Sequence, residues 1–213
     1  MQHNDFVIRA AEARDVDMAV PLIYSSGPAA FDYVFAHPGR TNALEFLRTA
    51  FLSGAGEFGF RNHVVLESRA HREVVGIGAG YSGRTTLSFL IAAARQILRC
   101  YGPLAAPGVI FRGLRVEGVI PPPSGPHLFY IAHLGVAPAW RGQGLGVQLT
   151  EHLLDLGKQQ GFRMVGLDVS VENPRAQALY ERLGFSCLRE HRSTLNNRFA
   201  TVPSHRRLTR ELV

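Results

Sequence analysis

A single α/β domain is what this sequence predicts, and three observations carry that reading. Its 213 residues, 46% of them apolar and 19% charged, suffice for one domain with a real core. A buried strand, a glycine turn and a helix succeed one another between His127 and Gly161, and a second strand with a capped helix follows from Arg163 to Phe185. The longest apolar run, Leu87 to Ala94, stops at Arg95 and falls far short of a membrane span.

Taken in order, Phe6 to Ala10 reads as a first strand. Ala11 to Tyr24 reads as a turn and helix that Asp15 or Asp17 could cap. A second helix is expected from Asn42 to Leu52, where Leu44, Phe46, Leu47, Ala50 and Phe51 are apolar and Gly54 offers an exit. The aromatic run Phe31-Asp32-Tyr33-Val34-Phe35 leads into it. Phe60 to Ser68 and Glu73 to Tyr81 form a predicted hairpin turning at Arg69-Ala70-His71-Arg72.

Within Thr85 to Pro126, the residues Leu87, Leu90, Ile91, Ala94, Leu98 and Tyr101 fall on one helical face. A shorter helix fits between Pro107 and Gly118, before Pro121-Pro122-Pro123 straightens the chain. This is a helical insertion, residues 85–126, within the single domain 1–213. Three roles are open to it: covering a ligand pocket, making a homodimer contact, or completing a small hydrophobic cluster of its own.

Leu128 to Val136 is apolar and rich in strand formers. Leu145, Leu149, Leu153, Leu154 and Leu156 then recur at helical spacing. Between them lies Arg141-Gly142-Gln143-Gly144-Leu145-Gly146. The first N–H groups of a helix have no carbonyl partners, and together with the positive end of the helix dipole they form an anion site. Alternating glycines let a pyrophosphate approach the backbone, and Arg141 adds a fixed positive charge. The spacing excludes two familiar diphosphate loops. A Walker loop would end Gly-Lys-Ser/Thr, and a dinucleotide fingerprint would need Gly-x-Gly-x-x-Gly/Ala, where this chain has Val147 or Leu149. Asp168 stands about where a ribose-binding carboxylate would lie in a dinucleotide unit, but some 125 residues precede that unit here.

Farther on, Glu172-Asn173-Pro174-Arg175-Ala176-Gln177-Ala178-Leu179-Tyr180-Glu181-Arg182-Leu183-Gly184-Phe185 reads as a helix. Asn173 is the N-cap, Pro174 takes the first turn and Gly184 is the stop. Phe185 to Arg189 and His205 to Leu212 are the expected last strands, an antiparallel pair at the sheet edge.

The ungapped run Val136-x-Pro138-x-x-Arg141-Gly142-x-Gly144-x-Gly146, with Asn173-x-x-Ala176-x-x-Leu179-Tyr180-x-x-x-Gly184-Phe185 downstream, resembles the GNAT superfamily of acetyl-CoA-dependent N-acetyltransferases. The resemblance is strong from Leu128 to Phe185 and looser elsewhere. It implies a mixed, mostly antiparallel sheet of about seven strands flanked by helices, with strands 4 and 5 splayed and residues 85–126 inserted between strands 3 and 4. By the same resemblance, Leu134, Gly135 and Val136 bind the pantetheine through backbone groups, and a backbone N–H at or next to Val136 bonds the thioester carbonyl. Arg141, Gly142, Gln143, Gly144, Leu145 and Gly146 hold the pyrophosphate, and Asn173 holds the pantetheine arm. Tyr180 is the implied general acid to the CoA thiolate, and Tyr24, Asp32, Tyr33 and Tyr130 are candidate contacts to the acceptor amine. Aromatic residues on such segments also serve as plain core.

The implied activity is acetyl transfer from acetyl-CoA to a primary amine by direct attack, an acyltransferase of class EC 2.3.1.-. The other reading is a non-catalytic acyl-CoA-binding sensor or interaction module of the same fold. No general base stands out. Strict alternation puts Tyr130, Ala132, Leu134 and Val136 on one strand face and His133 on the other, where it reads as a core histidine more readily than as the catalytic base. Asp168, Glu172, a water relay or an amine already deprotonated are the alternatives.

The composition narrows the partners. A formal net charge of +6 is scattered except for an excess between His191 and Arg210, which suits a solvated basic face or attraction of an anionic ligand better than nucleic acid. Nine histidines include no HExxH-like spacing, so no metal is expected. Two cysteines, Cys100 and Cys187, in apolar surroundings argue against a disulfide scaffold, and the first fifteen residues lack an export pattern. A cytoplasmic protein with a small-molecule amine acceptor and no membrane partner is the expectation.

Overall fold

The computed structural model describes residues 5–212 other than 40, 124 and 126, so Met1 to Asn4 of the expected leaderless start and Pro126 of the insertion lie outside the described residues. Seven strands form one sheet in the order β1-β2-β3-β4-β5-β7-β6. They are β1 Phe6–Ala10, β2 His63–Ser68, β3 Glu73–Ser82, β4 Leu128–Val136, β5 Met164–Ser170, β6 Ser186–His191 and β7 His205–Glu211. Neighbours are antiparallel except β4 and β5, which run parallel. That pair is joined only over Leu128↔Met164, Phe129↔Val165 and Tyr130↔Gly166, after which the two strands part. The expected terminal pair β6 and β7 closes one edge, where Cys187 is exposed rather than packed in apolar surroundings.

Helices cover both faces. On one lie α1 Val16–Ser25, α2 Pro28–Phe35, α3 Ala43–Ser53 and α4 Thr86–Glu117, whose apolar residues share a core with Val65, Val74 and Ile77 of the sheet. On the other, α5 Leu145–Gln159 packs Leu145, Leu149, Leu153 and Leu154 on Leu66, Val75, Phe129 and Ile131, while α6 Pro174–Arg182 lies toward β5. The aromatic run Phe31 to Phe35 is itself helical, started by Pro28 at the first position after Gly27. The α3 entry is a capping box, in which Asn42 Oδ1 accepts from Glu45 N–H and Glu45 Oε2 accepts from Asn42 N–H, worth about 1 kcal/mol.

The insertion is one long helical element broken at Gly102, whose φ of 70° and ψ of 172° lie outside the helix, just before Pro103. Its buried line is Gln96, Ile97, Tyr101, Ala106 and Val109. The expected face fares differently: Leu87 is 71% and Leu98 52% exposed, and only Tyr101 of that set is in the core. Apolar residues occur on several sides of this helix, so its neighbours α2 and α3 decide which side is covered. Two donors tie it down at the end of α2, where carbonyls lack helical partners. Tyr101 O–H donates to Phe35 O at 2.5 Å, and Arg112 Nε and Nη2 donate to Val34 O at 3.0 and 2.7 Å.

Candidate active site

The parting of β4 from β5 leaves backbone groups of β4 unpaired on that side. Val136 is one of them. Ala137 N–H donates to Val75 O across the β3 side, so Val136, its neighbour, must direct its N–H and C=O to the open edge. Its carbonyl there accepts from Arg141 Nε at 2.9 Å, which leaves the Val136 N–H available. Gly135, just before Val136, has no room for a side chain: a β-carbon would lie 2.5 Å from Leu22 O of α1.

Beyond β4 the loop turns into α5. Gly142 and Gly144 both hold φ of 80°, a left-handed conformation that a residue with a β-carbon adopts only at a cost. Gly144 is the N-cap and brings no side chain to the first N–H groups of α5, so they stay free for an anion. A second cation joins Arg141: a β-carbon on Gly142 would lie 3.9 Å from Arg175 Nη2. Arg175, in the first turn of α6, was missed from sequence. Asn173 caps that helix, its Oδ1 accepting from Ala176 N–H at 3.1 Å. The glycine loop, its two arginines and the open β4 edge fit a diphosphate-bearing, extended acyl carrier such as acetyl-CoA.

The open edge leads into a cavity of about 610 Å³ lined by Leu134 and Tyr180 at the splay and by Phe89, Leu90, Ile110 and Leu114 of the insertion. Tyr180 is half-buried against Phe185, and burial pushes its phenol up to about 12, so it is protonated at neutral pH. Tyr130 also lines the cavity, but its hydroxyl donates to Asp168 Oδ2 at 2.6 Å. Asp168 in turn accepts from Arg207 Nε at 3.0 Å and Nη2 at 2.8 Å, a buried pair that leaves this carboxylate no freedom to act as a base. The other expected acceptor contacts sit apart. Tyr33 is 1% exposed in the core, and Tyr24 O–H donates to Asp32 Oδ2 at 2.8 Å outside the cavity lining.

His133 overturns the expected alternation. Ile77 pairs with Gly135 but Ala79 with Ala132, so β4 carries one extra residue in this interval, and His133 takes a φ of 54° in the bulge. Past it the faces exchange. Gly135 joins Tyr130 and Ala132 toward α1, while Leu134 and Val136 pack on the α5 side. The His133 ring lies against Phe31 and Phe58 and reaches the cavity wall.

There it belongs to a chain of polar groups. His63 Nδ1 lies 2.9 Å from Gly59 O, an acceptor, so it must carry the proton and leave Nε2 bare. His133 Nδ1, 3.1 Å from that Nε2, must therefore be the donor. The lone pair of His133 is thus on Nε2, 3.6 Å from Glu57 Oε1. Tyr81 O–H donates to the same Oε1 at 2.7 Å. Burial drives His63 down to about 4 and His133 well below the ordinary imidazole value, so both rings are neutral at pH 7. Burial raises Glu57, against the Tyr81 hydrogen bond, and the nearby Glu117 raises it further. Two acceptors 3.6 Å apart, one a carboxylate and one a neutral imidazole nitrogen, suit an ammonium group between them. Sequence reasoning missed Glu57 and His63 altogether. Among the described residues no group of three or more His, Cys, Asp or Glu could hold a metal ion, and no helix is long and apolar enough to cross a membrane.

A seven-stranded, mostly antiparallel sheet whose one parallel pair opens into a V defines the GNAT class of fold. Comparison with known proteins agrees. Residues 111–185 match the model of the Acetyltransferase (GNAT) family. N-alpha-acetyltransferase 30 of Schizosaccharomyces pombe is 43% identical over 56 residues, which are 26% of this chain and 37% of that protein. Mycothiol acetyltransferase of Beutenbergia cavernae is 47% identical over 58 residues, 27% of this chain and 20% of that one. The chain therefore spans little more than a third, or less, of these relatives. Among solved structures, an N-acetyltransferase from Staphylococcus aureus Mu50 superposes with a TM-score of 0.68 at 17% identity, covering 96% of this chain and 100% of that one. The yncA protein of Salmonella typhimurium, solved with its cofactor acetyl-CoA, does so with a TM-score of 0.55 at 16% identity, covering 99% and 95%. Over residues 111–185 the chain is thus similar to the GNAT family, and its fold is the one that the GNAT structures share.

Proposed function

We propose that the protein is an acetyl-CoA-dependent N-acetyltransferase acting on a small-molecule primary amine. The observation that carries this reading is the single cavity joining the open β4 edge and Tyr180 to the His133 and Glu57 acceptors. Acetyl-CoA, when bound, supplies the acetyl group as a thioester. The glycine loop with Arg141 and Arg175 holds its diphosphate, Asn173 and the edge of Leu134, Gly135 and Val136 hold the pantetheine arm, and the Val136 N–H bonds the thioester carbonyl oxygen as charge develops on it. Glu57 receives the acceptor as an ammonium. His133 Nε2 takes a proton from it, freeing the nitrogen lone pair to attack, and the chain His133–His63–Gly59 fixes the ring in the tautomer that can do so. As the N–C bond forms and the C–S bond breaks, Tyr180 Oη delivers a proton to the departing sulfur. No covalent intermediate on the enzyme is needed, and Cys100 and Cys187 lie outside the cavity lining.

The test is thermal unfolding with acetyl-CoA, CoA and NAD, followed by thiol release from acetyl-CoA against a panel of amines. Stabilisation by acetyl-CoA and CoA but not NAD, with amine-dependent thiol release, is the expected result. No stabilisation by either CoA species would overturn the reading. Stabilisation without release from any amine would favour a binding module.

A further inference from the structure

We infer that the acceptor is a monoamine with a bulky apolar body, held by a chamber that the insertion builds. This rests on the acetyltransferase reading and names the substrate class of that same site. Two features of the cavity carry it.

The first is its charge. The protein as a whole is positive by six, yet among the described residues no lysine or arginine lines this cavity, while Glu57, Glu117 and Asp168 do. Asp168 is neutralised by Arg207, which leaves Glu57 and Glu117 to set the sign. A cation is drawn in and an anion excluded. The ammonium has one seat with two acceptors, Glu57 Oε1 and His133 Nε2. Glu117 lines the same cavity and adds to its negative field.

The second is its walls. Beyond that seat the lining is aromatic and aliphatic, from Phe31 and Phe35 of α2 across to Phe89, Ile97, Ile110 and Leu114 of the insertion. Polar groups there are already engaged: Gln96 Nε2 donates to Ser53 Oγ at 2.8 Å and Ala55 O at 3.0 Å, and Thr85 and Thr86 hydroxyls donate to Ser82 O and Gly83 O, both at 2.9 Å. A peptide backbone would lose its water there and find few partners, at a cost an apolar body does not meet. An alkyl or aryl group would instead gain by leaving water. The pocket is also anchored, because Tyr101 and Arg112 tie the insertion to the end of α2.

The experiment uses the full chain with acetyl-CoA and measures kcat/KM by thiol release for ethylamine, butylamine, hexylamine, 2-phenylethylamine, ethanolamine, putrescine and a short peptide with a free N-terminus. The expected result is a rise of up to roughly fourfold per added methylene until the chamber is filled, the gain of burying one CH₂. Ethanolamine, putrescine and the peptide should fall well below butylamine. Phe89→Ser should lower the 2-phenylethylamine to ethylamine ratio by about tenfold, and Glu117→Gln should raise KM for every amine in the series. Both variants should keep the wild-type thermal shift with acetyl-CoA, which shows that they fold. A flat series, or a preference for the peptide, the diamine or ethanolamine, overturns the inference. So does a thermal shift with acetyl-CoA and no turnover of any apolar amine. Absence of any shift with acetyl-CoA strikes instead at the acetyltransferase reading.

Discussion

Replacing His133 with asparagine tests the base assignment with little disturbance of the fold. Asparagine is among the few residues that accept a positive φ, as His133 does at 54°, and its Nδ2 can still donate to His63 Nε2. What it cannot do is accept a proton near neutral pH. An alkylamine with a reference pKa of about 10.4 is ~3.4 pH units from deprotonation at pH 7, so freeing its lone pair costs about 4.6 kcal/mol. A positioned base recovers part of that, on the order of 10²- to 10⁴-fold in rate. His133→Asn should therefore lower kcat/KM by about 10²- to 10³-fold at pH 7, and the deficit should shrink toward pH 10, where solvent has already supplied the free amine. The His133 ring must be neutral to act, and burial holds its pKa below the ordinary value. The acid limb of the wild-type profile should accordingly fall below pH 6.5, the usual imidazole midpoint. The assay is thiol release across pH with the best amine found. A variant as fast as wild type at pH 7, or a deficit that stays constant to pH 10, would refute the assignment.

Three further outcomes are expected. Tyr180→Phe should leave the acetyl-CoA thermal shift intact but lower turnover, and unchanged turnover would remove Tyr180 from the mechanism. His63 is neutral when folded, with a pKa of about 4 against 6.5 when unfolded, so its contribution is present above pH 6.5 and is lost as pH falls toward 4, in all about 3 kcal/mol. Melting temperature against pH should lose this component in His63→Gln. Gly144→Ala meets no neighbour within 4 Å, so its penalty is the backbone alone, about 1 kcal/mol at φ of 80°, and denaturant unfolding should register it together with weaker binding of acetyl-CoA.

Legibility followed the range of the interactions. The caps of α6 and the glycines of the loop answer to chemistry within a few residues, so Asn173, Gly142 and Gly144 stand where the sequence places them. The parting of β4 from β5 was reached through family resemblance, since no local pattern states it. Arg175 was accessible in principle, sitting one residue past Pro174 at the start of a capped helix. The face of α4 was not. Its leucines lie on several sides, and only the positions of α2 and α3 decide that Tyr101 is covered while Leu87 is bare. The cluster of Glu57, His63 and His133 was the least legible. His63 and His133 meet across 70 positions of sequence, and the bulge that turns His133 to the cavity breaks the alternation from which its direction was read. A bulge is one extra residue in a pairing, and it is invisible until the partner strand is known.

On the proposed reading, β4 divides the molecule's two tasks, and the bulge is how one strand serves both. Its open edge, ending at Val136, faces the glycine loop and the α5 and α6 side, whose apolar contacts form clusters of their own. Of the residues that would meet the amine, Phe31 and Phe35 of α2 and Ile97 of α4 belong instead to the core on the opposite face, with Phe58 before β2 packed against it. Without the extra residue, His133 would follow the pleat toward α5, and the base would lie on the wrong side of the sheet from Glu57. With it, the ring turns toward the acceptor side within two residues of the strand's open edge, held there by a chain of donors ending at Gly59. The matched segment of this chain, residues 111–185, contains the glycine loop, Asn173 and Tyr180, whereas Glu57, His63, Phe31, Phe35 and Phe89 lie before it.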